Sequence, residues 1–334
     1  QLFAALNYKR IAEDLASGGD AQRALLLQAL RWRLMKSTGR QRQMVLATYV
    51  HSDLLRTPVA EAVLGGPPVV AEQGVRLMNH FASYAAGRAY LLSKEGVVDR
   101  LIALLVAEKA DTAARQNALG ALQKLSLRRA PQLQMIEGGV IDWLAAVLAD
   151  AEALLTDYSI EYATALLMNL ALRVAGKKRC EDPNLRILHV LNQLLEYDAP
   201  QVRTYVNGTL YSVLSRPVLR ERALEMGLPD ILDSLLAHSD EVNARQIQYI
   251  LPLLGEGAQL PEVSEEADAL AAREEEAVEE EADFDEEEDE DEPPEADEES
   301  AIPREAGEPA GEELLASRYL AAVFEAQAEA DDLV

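Results

Sequence analysis

Cysteine is nearly missing. The 334 residues hold Cys180 alone, so no intrachain disulfide can form, and the chain suits a reducing compartment. Aromatic residues make up 5%, which leaves the core to Leu, Ala and Val and supplies no interleaved rings to stack on nucleic-acid bases. No run of about 18 apolar residues is present, so no segment is suited to cross a bilayer as a helix. His51, His80, His189 and His238 stand singly, with neither an H-E-x-x-H pattern nor paired cysteines to make a metal site. Each fits a helix surface or a hydrogen-bonded core position. Gly176-Lys177 lacks the upstream glycine of a phosphate-binding loop, and neither G-x-S-x-G nor a dinucleotide-binding glycine pattern occurs. Carboxylates are abundant but densest where no shaped pocket is expected to separate their pKa values. Catalysis, a cofactor and a metal are therefore not expected.

The net charge of −27 is unevenly spread. Residues 262–300 hold 23 acidic residues and one base, Arg273, and residues 301–334 add eight acids and two bases, leaving residues 1–261 at +1. The run "EEEAVEEEADFDEEEDEDEPPEADEES" is too charged and too poor in apolar groups to offset its ordering entropy, so disorder is expected. It serves either as a solubilising linker or as a segment that competes with an acidic partner or engages a basic one. Beyond it, "GEELLASRYLAAVF" returns to helical spacing. Leu315, Tyr319, Ala322 and Val323 share a face, and Glu312 and Glu313 suit the first turn. An amphipathic helix beyond a tether is a candidate for docking, back onto the rest of the chain in preference to a partner. The chain begins at Gln1 without a methionine or a signal-peptide pattern, as expected of a piece of something longer.

What is plentiful is helical periodicity. Leu119, Leu122, Leu125 and Leu127 recur at helical spacing, and after Gly138-Gly139 the stripe resumes at Val140, Ile141, Leu144, Val147 and Leu148, giving a helix, a turn and a second helix. The opening step of the second helix recurs as Gly96-Val97-Val98, Gly139-Val140-Ile141 and Gly227-Leu228-Pro229, at intervals of 43 and 88. The missing copy falls at "EDPNLRILHVLNQLL", where Asp182-Pro183 replaces the glycine. Ends of the preceding helices align at Phe81, Leu125, Leu170 and Val213, at intervals of 44, 45 and 43. A period of about 44 residues with a glycine turn indicates an all-α, armadillo-type α-solenoid, a superhelical array in which stacked repeats share one core. Four repeats are expected between Pro67 and Leu235, closed by "VNARQIQYILPLL". Residues 1–66 then form capping helices or a degenerate repeat, 67–261 the array, 262–310 the disordered acidic linker and 311–334 the C-terminal helix.

A solenoid without catalytic residues is ordinarily a binding surface. In armadillo proteins that hold extended peptides, such as importin-alpha, an Asn ladder and a Trp array line the groove. The corresponding ladder positions here are His80, Lys124, Asn169 and Ser212, and the Trp positions are Arg76, Gly120, Ala165 and Gly208. Asn169 alone matches, which disfavours nuclear import. Basic clusters at Arg31, Arg33, Lys36, Arg40 and Arg42, at Arg128-Arg129 and at Lys177-Lys178-Arg179 are either solvated faces or contacts for an acidic partner such as tubulin. Nucleic acid is a poor fit, because the acidic run would compete for the same bases. The candidate partner-binding residues are accordingly Arg31, Arg33, Lys124, Arg128, Arg129, Asn169, Lys177, Lys178 and Arg179, with Leu315, Tyr319 and Val323 as a docking face.

Beyond the period, "LLQALRWRLMKS", "NALGALQKLSLRR", "DYSIEYATALLMNLALR", "YVNGTLYSVLS" and "GEELLASRYL" closely resemble, in order, segments of the armadillo repeat-containing protein 9 family. The resemblance covers nearly the whole chain, including an acidic stretch before the last segment. It implies a non-enzymatic scaffold in the cytoplasm and cytoskeleton, at the basal body or centriole and the ciliary tip. Such a scaffold would work with a TOG-domain regulator of axonemal microtubules in ciliary assembly, length and stability. The partners implied are proteins, without membrane, nucleic acid or small-molecule substrate. The family's LisH motif and coiled coil have no counterpart in this stretch, so dimerisation is not carried over. A cargo adaptor holding peptides in the groove is the alternative.

Overall fold

A computed structural model of the chain describes residues 5–255, 258, 264, 266–267, 302–304 and 307–321. The expected acidic linker lies almost wholly outside the described residues, as do Ala322 and Val323. The helices are α1 (Tyr8–Ser17), α2 (Asp20–Lys36), α3 (Gly39–His51), α4 (Thr57–Leu64), α5 (Pro68–Ala82), α6 (Ala85–Leu92), α7 (Val97–Ala107) and α8 (Ala113–Leu125). There follow α9 (Arg129–Glu137), α10 (Val140–Leu148), the single turn α11 (Ala151–Leu154), α12 (Asp157–Ala171), α13 (Val174–Cys180), α14 (Ile187–Leu194) and α15 (Pro200–Val213). The last are α16 (Pro217–Glu225), α17 (Leu228–Leu236), α18 (Glu241–Ile250) and α19 (Gly311–Arg318). The only β pairing among the described residues is an isolated antiparallel bridge between Leu6 and Leu320.

Three helices make one repeat: α3 to α5, α6 to α8, α9 with α10 and α12, α13 to α15, and α16 to α18. The N-terminal segment, expected as a degenerate cap, thus supplies α3 and α4 to a further three-helix repeat, and α1 and α2 precede it as a partial one. In place of one continuous array over 67–261, the contacts divide the chain into two compact units, Gln1–Lys124 with Asp283–Val334, and Leu125–Ala282. In the first unit α4 packs on α1 and α7, α3 on α6, and α2 on α5. In the second, α12 packs on α10 and α15, α15 on α18, and α13 on α9.

Each repeat carries one left-handed residue between its first two helices: Asp53 (φ 48°), Gly96 (74°), Gly139 (80°), Arg186 (49°) and Gly227 (71°). Glycine meets this requirement without steric cost, which is why three copies show it in the sequence. Asp53 tolerates the conformation as a short polar residue and is held there by Lys94 at 2.6 Å and by the Tyr90 hydroxyl at 2.9 Å. In the fourth copy the sequence expectation needs correcting. Asp182-Pro183 does not replace the glycine. Pro183–Leu185 forms an inserted turn of 3-10 helix, its first N–H bonds capped by Asp182, and Arg186 takes the left-handed position.

Two further devices recur. The third helix of a repeat ends in carbonyls that no helical N–H satisfies, and a side chain from the following first helix donates to one of them. Arg88 bonds the Ala82 carbonyl oxygen at 3.1 Å, Gln132 that of Ser126 at 2.7 Å, and Arg220 that of Leu214 at 3.0 Å. Between them stand Gly87 and Gly176, where the first helix crosses so close to the third that a Cβ would overlap the carbonyl oxygens of Phe81 and Leu170. Proline at the first or second position starts α4, α5, α15, α16 and α17, where its missing N–H costs nothing.

Candidate functional site

The ladder positions lie at the C-terminal ends of the third helices, and all four are buried: His80, Lys124, Asn169 and Ser212. Three of them bond the end of the previous repeat's third helix. The Lys124 Nζ donates to Ser83 Oγ at 2.7 Å, the Asn169 Nδ2 to Ser126 Oγ at 2.9 Å, and the Ser212 Oγ to the Ala171 carbonyl oxygen at 2.6 Å. A buried donor left without an acceptor costs about 1–3 kcal/mol, so these side chains are committed to holding repeats together. Lys124 and Asn169, predicted as partner contacts, are therefore structural links, with 1% and 7% of their surface exposed.

The positions that carry tryptophan in peptide-binding repeats are closed as well. Arg76 is buried and ion-paired with Glu72 at 3.1 Å, and a Cβ on Gly208 would lie 2.6 Å from the Met168 sulfur. A neighbouring side chain occupies the space an indole would need. A second polar series along the third helices was not anticipated. The Asn79 Nδ2 donates to Asn117 Oδ1 at 3.0 Å in the first unit, and the Asn207 Nδ2 to Asn243 Oδ1 and Gln246 Oε1 at 3.2 and 3.1 Å in the second. The only signal in the sequence was asparagine within helices whose neighbours are apolar.

The basic residues separate into two groups. Arg31 and Arg33 are each 5% exposed. Arg33 lies 3.8 Å from Glu312 of α19, and Arg31 Nη1 lies 3.4 Å from the Met35 sulfur. The expectation that these two arginines face a partner is corrected, because α2 is enclosed between α5 and α19. In the second unit α9 packs on α13, which brings Arg128 and Arg129 into the same neighbourhood as Lys177, Lys178 and Arg179. Arg129 and Lys178 are exposed, and Arg128 and Lys177 half-buried. Arg179 is engaged by Asp142, its Nε donating to Oδ2 at 2.9 Å, and by Asp182 at 2.9 Å. The Arg179 hydrogen bond holds the Asp142 carboxyl below its usual value, against the opposing effect of burial.

The docking face predicted at the C-terminus is enclosed within the first unit. Leu314, Leu315 and Tyr319 are at most 1% exposed, packed with α2. The Tyr319 hydroxyl donates to Asp14 at 2.7 Å and accepts from Gln22 at 3.4 Å. The helix is shorter than expected. It ends at Arg318, and the chain then turns extended, with Asn7 N–H donating to the Tyr319 carbonyl at 2.8 Å and Ala321 N–H to that of Ala5 at 3.1 Å. Burial, followed by the hydrogen bond to Asp14, pushes the Tyr319 hydroxyl up to about 12.

No group of three or more metal-ligating side chains is present among the described residues, and no described helix is long and apolar enough to cross a membrane. Cys180 is fully buried, and desolvation pushes its thiol up to about 12, far from a reactive thiolate. It borders a cleft of 440 Å³ with Arg186, His189, Arg222 and Glu225, beside the inserted turn.

The armadillo-repeat model described as "LisH domain-containing protein ARMC9, ARM repeats" matches residues 135–254. The chain is 41% identical over 273 residues to the LisH domain-containing protein ARMC9 of Danio rerio, covering 80% of this chain and 33% of that protein. It is 41% identical over 326 residues to that of Homo sapiens, covering 96% of this chain and 38% of that one. The chain thus spans between a third and two fifths of the length of these two relatives. Among solved structures, a designed armadillo repeat protein superposes with a TM-score of 0.61 at 17% identity, over 75% of this chain and all of the other. Another, in complex with the peptide (KR)4, gives 0.60 at 17% identity, over 75% and 100%. These two likenesses establish the armadillo fold.

Proposed function

The chain belongs to the ARMC9 family, as its armadillo-repeat part, and from that membership we propose a non-enzymatic scaffold of the cilium, at the basal body and ciliary tip. It supports ciliary assembly, length and axonemal microtubule stability. The observation that carries this reading is the identity to ARMC9 relatives over 80% or more of the chain. An armadillo fold without a metal-ligand cluster or an activated thiol among the described residues is suited to holding proteins together.

Recruitment through a TOG-domain microtubule regulator is favoured over direct tubulin contact. The 23 acidic residues in 262–300 repel an acidic tubulin surface at low ionic strength, and two of the arginines that would oppose this effect, Arg31 and Arg33, are buried. A peptide-holding cargo adaptor is the less favoured reading. The (KR)4 complex of a designed relative in fold shows that the architecture can hold a peptide, but here the ladder side chains are engaged within the chain.

Co-sedimentation with stabilised microtubules tests the choice, using the whole chain and its Arg129→Glu/Lys178→Glu variant with and without a TOG-domain regulator. Recruitment predicts pelleting only when the regulator is present. Pelleting by the chain alone, lost in the variant and at higher salt, would instead establish a direct tubulin site. Failure to pellet under any condition would sink both routes.

A further inference from the structure

The segment Glu308–Ala321 follows the acidic run, yet it completes the packing of residues near the start of the chain. Leu314, Leu315 and Tyr319 supply its apolar contact, Glu312 faces Arg33, and a Cβ on Gly311 would sit 3.1 Å from the Trp32 ring. Its end is fixed by backbone bonds to Ala5 and Asn7 and by the Tyr319 hydroxyl on Asp14. These contacts explain a feature of α2. Leu25, Leu26, Leu27, Leu30 and Leu34 fall on several sides of one helix, and all are at most 1% exposed, as in a helix enclosed on every side.

We propose that this segment exchanges between copies of the chain, so that the α2 face of one copy takes residues 308–321 of a second and returns its own, giving a reciprocal dimer. Three observations support the second copy as occupant. Every chain carries one such face and one such segment, so a two-fold exchange leaves neither unfilled. The contacts with α2, Leu6, Asn7 and Asp14 are the same whichever copy supplies the segment. Finally, 46 residues separate Gly255, where the second unit's described run ends, from Ile302. At full extension they reach about 3.3–3.6 Å per residue, so chain length places no barrier to reaching another molecule. The same stretch sets the conditions of exchange. With 24 acidic residues against Arg273, two connectors repel one another, and salt relieves that repulsion. The exchanged form therefore gains with protein concentration and with ionic strength.

The test mixes equal amounts of two variants, Leu6→Cys and Leu320→Cys, which face each other across the isolated bridge. The mixture is oxidised and run under denaturing conditions without reductant. Buried Cys180 stays out of reach. Exchange predicts a covalent dimer in the mixture and in neither variant alone, its yield rising severalfold between about 0.05 and about 0.5 M salt. In parallel, sedimentation of the unmodified chain from about 1 to about 200 µM should show the mass climbing from 36.6 kDa towards twice that value. A mass fixed at 36.6 kDa across the whole range overturns the proposal. So does a dimer that forms without the mixed disulfide while the doubly substituted chain closes its own, because a different face would then hold the copies together.

Discussion

Two glycines of the second unit perform different tasks, and substitution separates them. Gly176 lets α13 cross α12 at backbone contact. A Cβ there would overlap the Leu170 carbonyl oxygen and lie 2.8 Å from its carbon. Neither atom belongs to a flexible side chain, so α13 must move as a body. Overpacking of this kind costs about 1–3 kcal/mol, and an overlap with backbone belongs at the upper end. Alanine returns about 1 kcal/mol of helix propensity, leaving a net loss of about 2 kcal/mol. Gly139 instead sits at φ 80°, and a Cβ placed on it would meet nothing within 4 Å. Its cost is conformational, about 1–2 kcal/mol for alanine in the left-handed region, partly offset by about 0.4–1 kcal/mol lost from the unfolded chain's entropy. Asparagine, which tolerates that region, should cost less than alanine at 139 and more than alanine at 176. Urea unfolding followed by helical ellipticity measures all four variants. With a slope near 3 kcal/mol/M, Gly176→Ala lowers the midpoint by about 0.7 M. A Gly176→Ala midpoint equal to the parent's, or Asn costlier than Ala at 139, would refute the reasoning.

Other consequences are open to measurement. Tyr319 has a folded pKa raised to about 12, so its contribution to docking is complete below the unfolded value near 10 and is lost as pH rises through 12. Fluorescence of Trp32, with Trp143 replaced by Phe, should report release of the segment over that window, and Tyr319→Phe should abolish the hydroxyl-dependent part of the transition. The Asp142 carboxyl is depressed chiefly by its Arg179 hydrogen bond, so its contribution is present above its unfolded pKa and fades as pH falls through the lowered one. In Arg179→Gln the carboxyl carbon shift of Asp142 should titrate at higher pH than in the parent. Asn169→Ala leaves the buried Ser126 hydroxyl without its partner and should cost about 1–3 kcal/mol in stability. A double-mutant cycle with Ser126→Ala showing no coupling would mean that the ladder bond does not link the repeats.

The period was legible because its markers are chemically rigid: three glycines at a left-handed turn and leucines on the buried stripe. It faded where another residue met the same backbone requirement. Asp53 hides one repeat, since an aspartate held by Lys94 and Tyr90 resembles any polar turn residue. Arg186 hides the true turn of another behind Asp182-Pro183. The polar links were illegible for a related reason, since Lys124 and Asn169 on a helix look like a solvated face until a neighbouring repeat is placed against them. Arg31 and Arg33 were misread because no local pattern shows that a segment nearly 300 residues later covers the helix that bears them. Two clues did exist in separate places, leucines around the whole of α2 and the Leu315 and Tyr319 pair without an evident partner. Sequence periodicity could not join them.

That remote covering bears on how any partner is sought. A fragment ending at Pro261 keeps the repeats but lacks Leu314, Leu315 and Tyr319, so it uncovers the side of α2 that carries Trp32 and Arg33. It also loses the acidic run, and its net charge is +1 against −27 for the whole chain. Both changes act in the same direction, adding an apolar and basic surface while removing the repulsion that opposes an acidic partner. Binding of such a fragment to microtubules would therefore report a surface the intact chain does not present. Arg129→Glu/Lys178→Glu in the whole chain avoids the confusion, because it alters exposed side chains of the second unit and leaves α2 covered. If the fragment pellets and the whole chain does not, restoring residues 308–321 as a separate peptide decides between the two causes. Loss of pelleting assigns the binding to the uncovered α2 face, and persistence assigns it to the missing acidic charge.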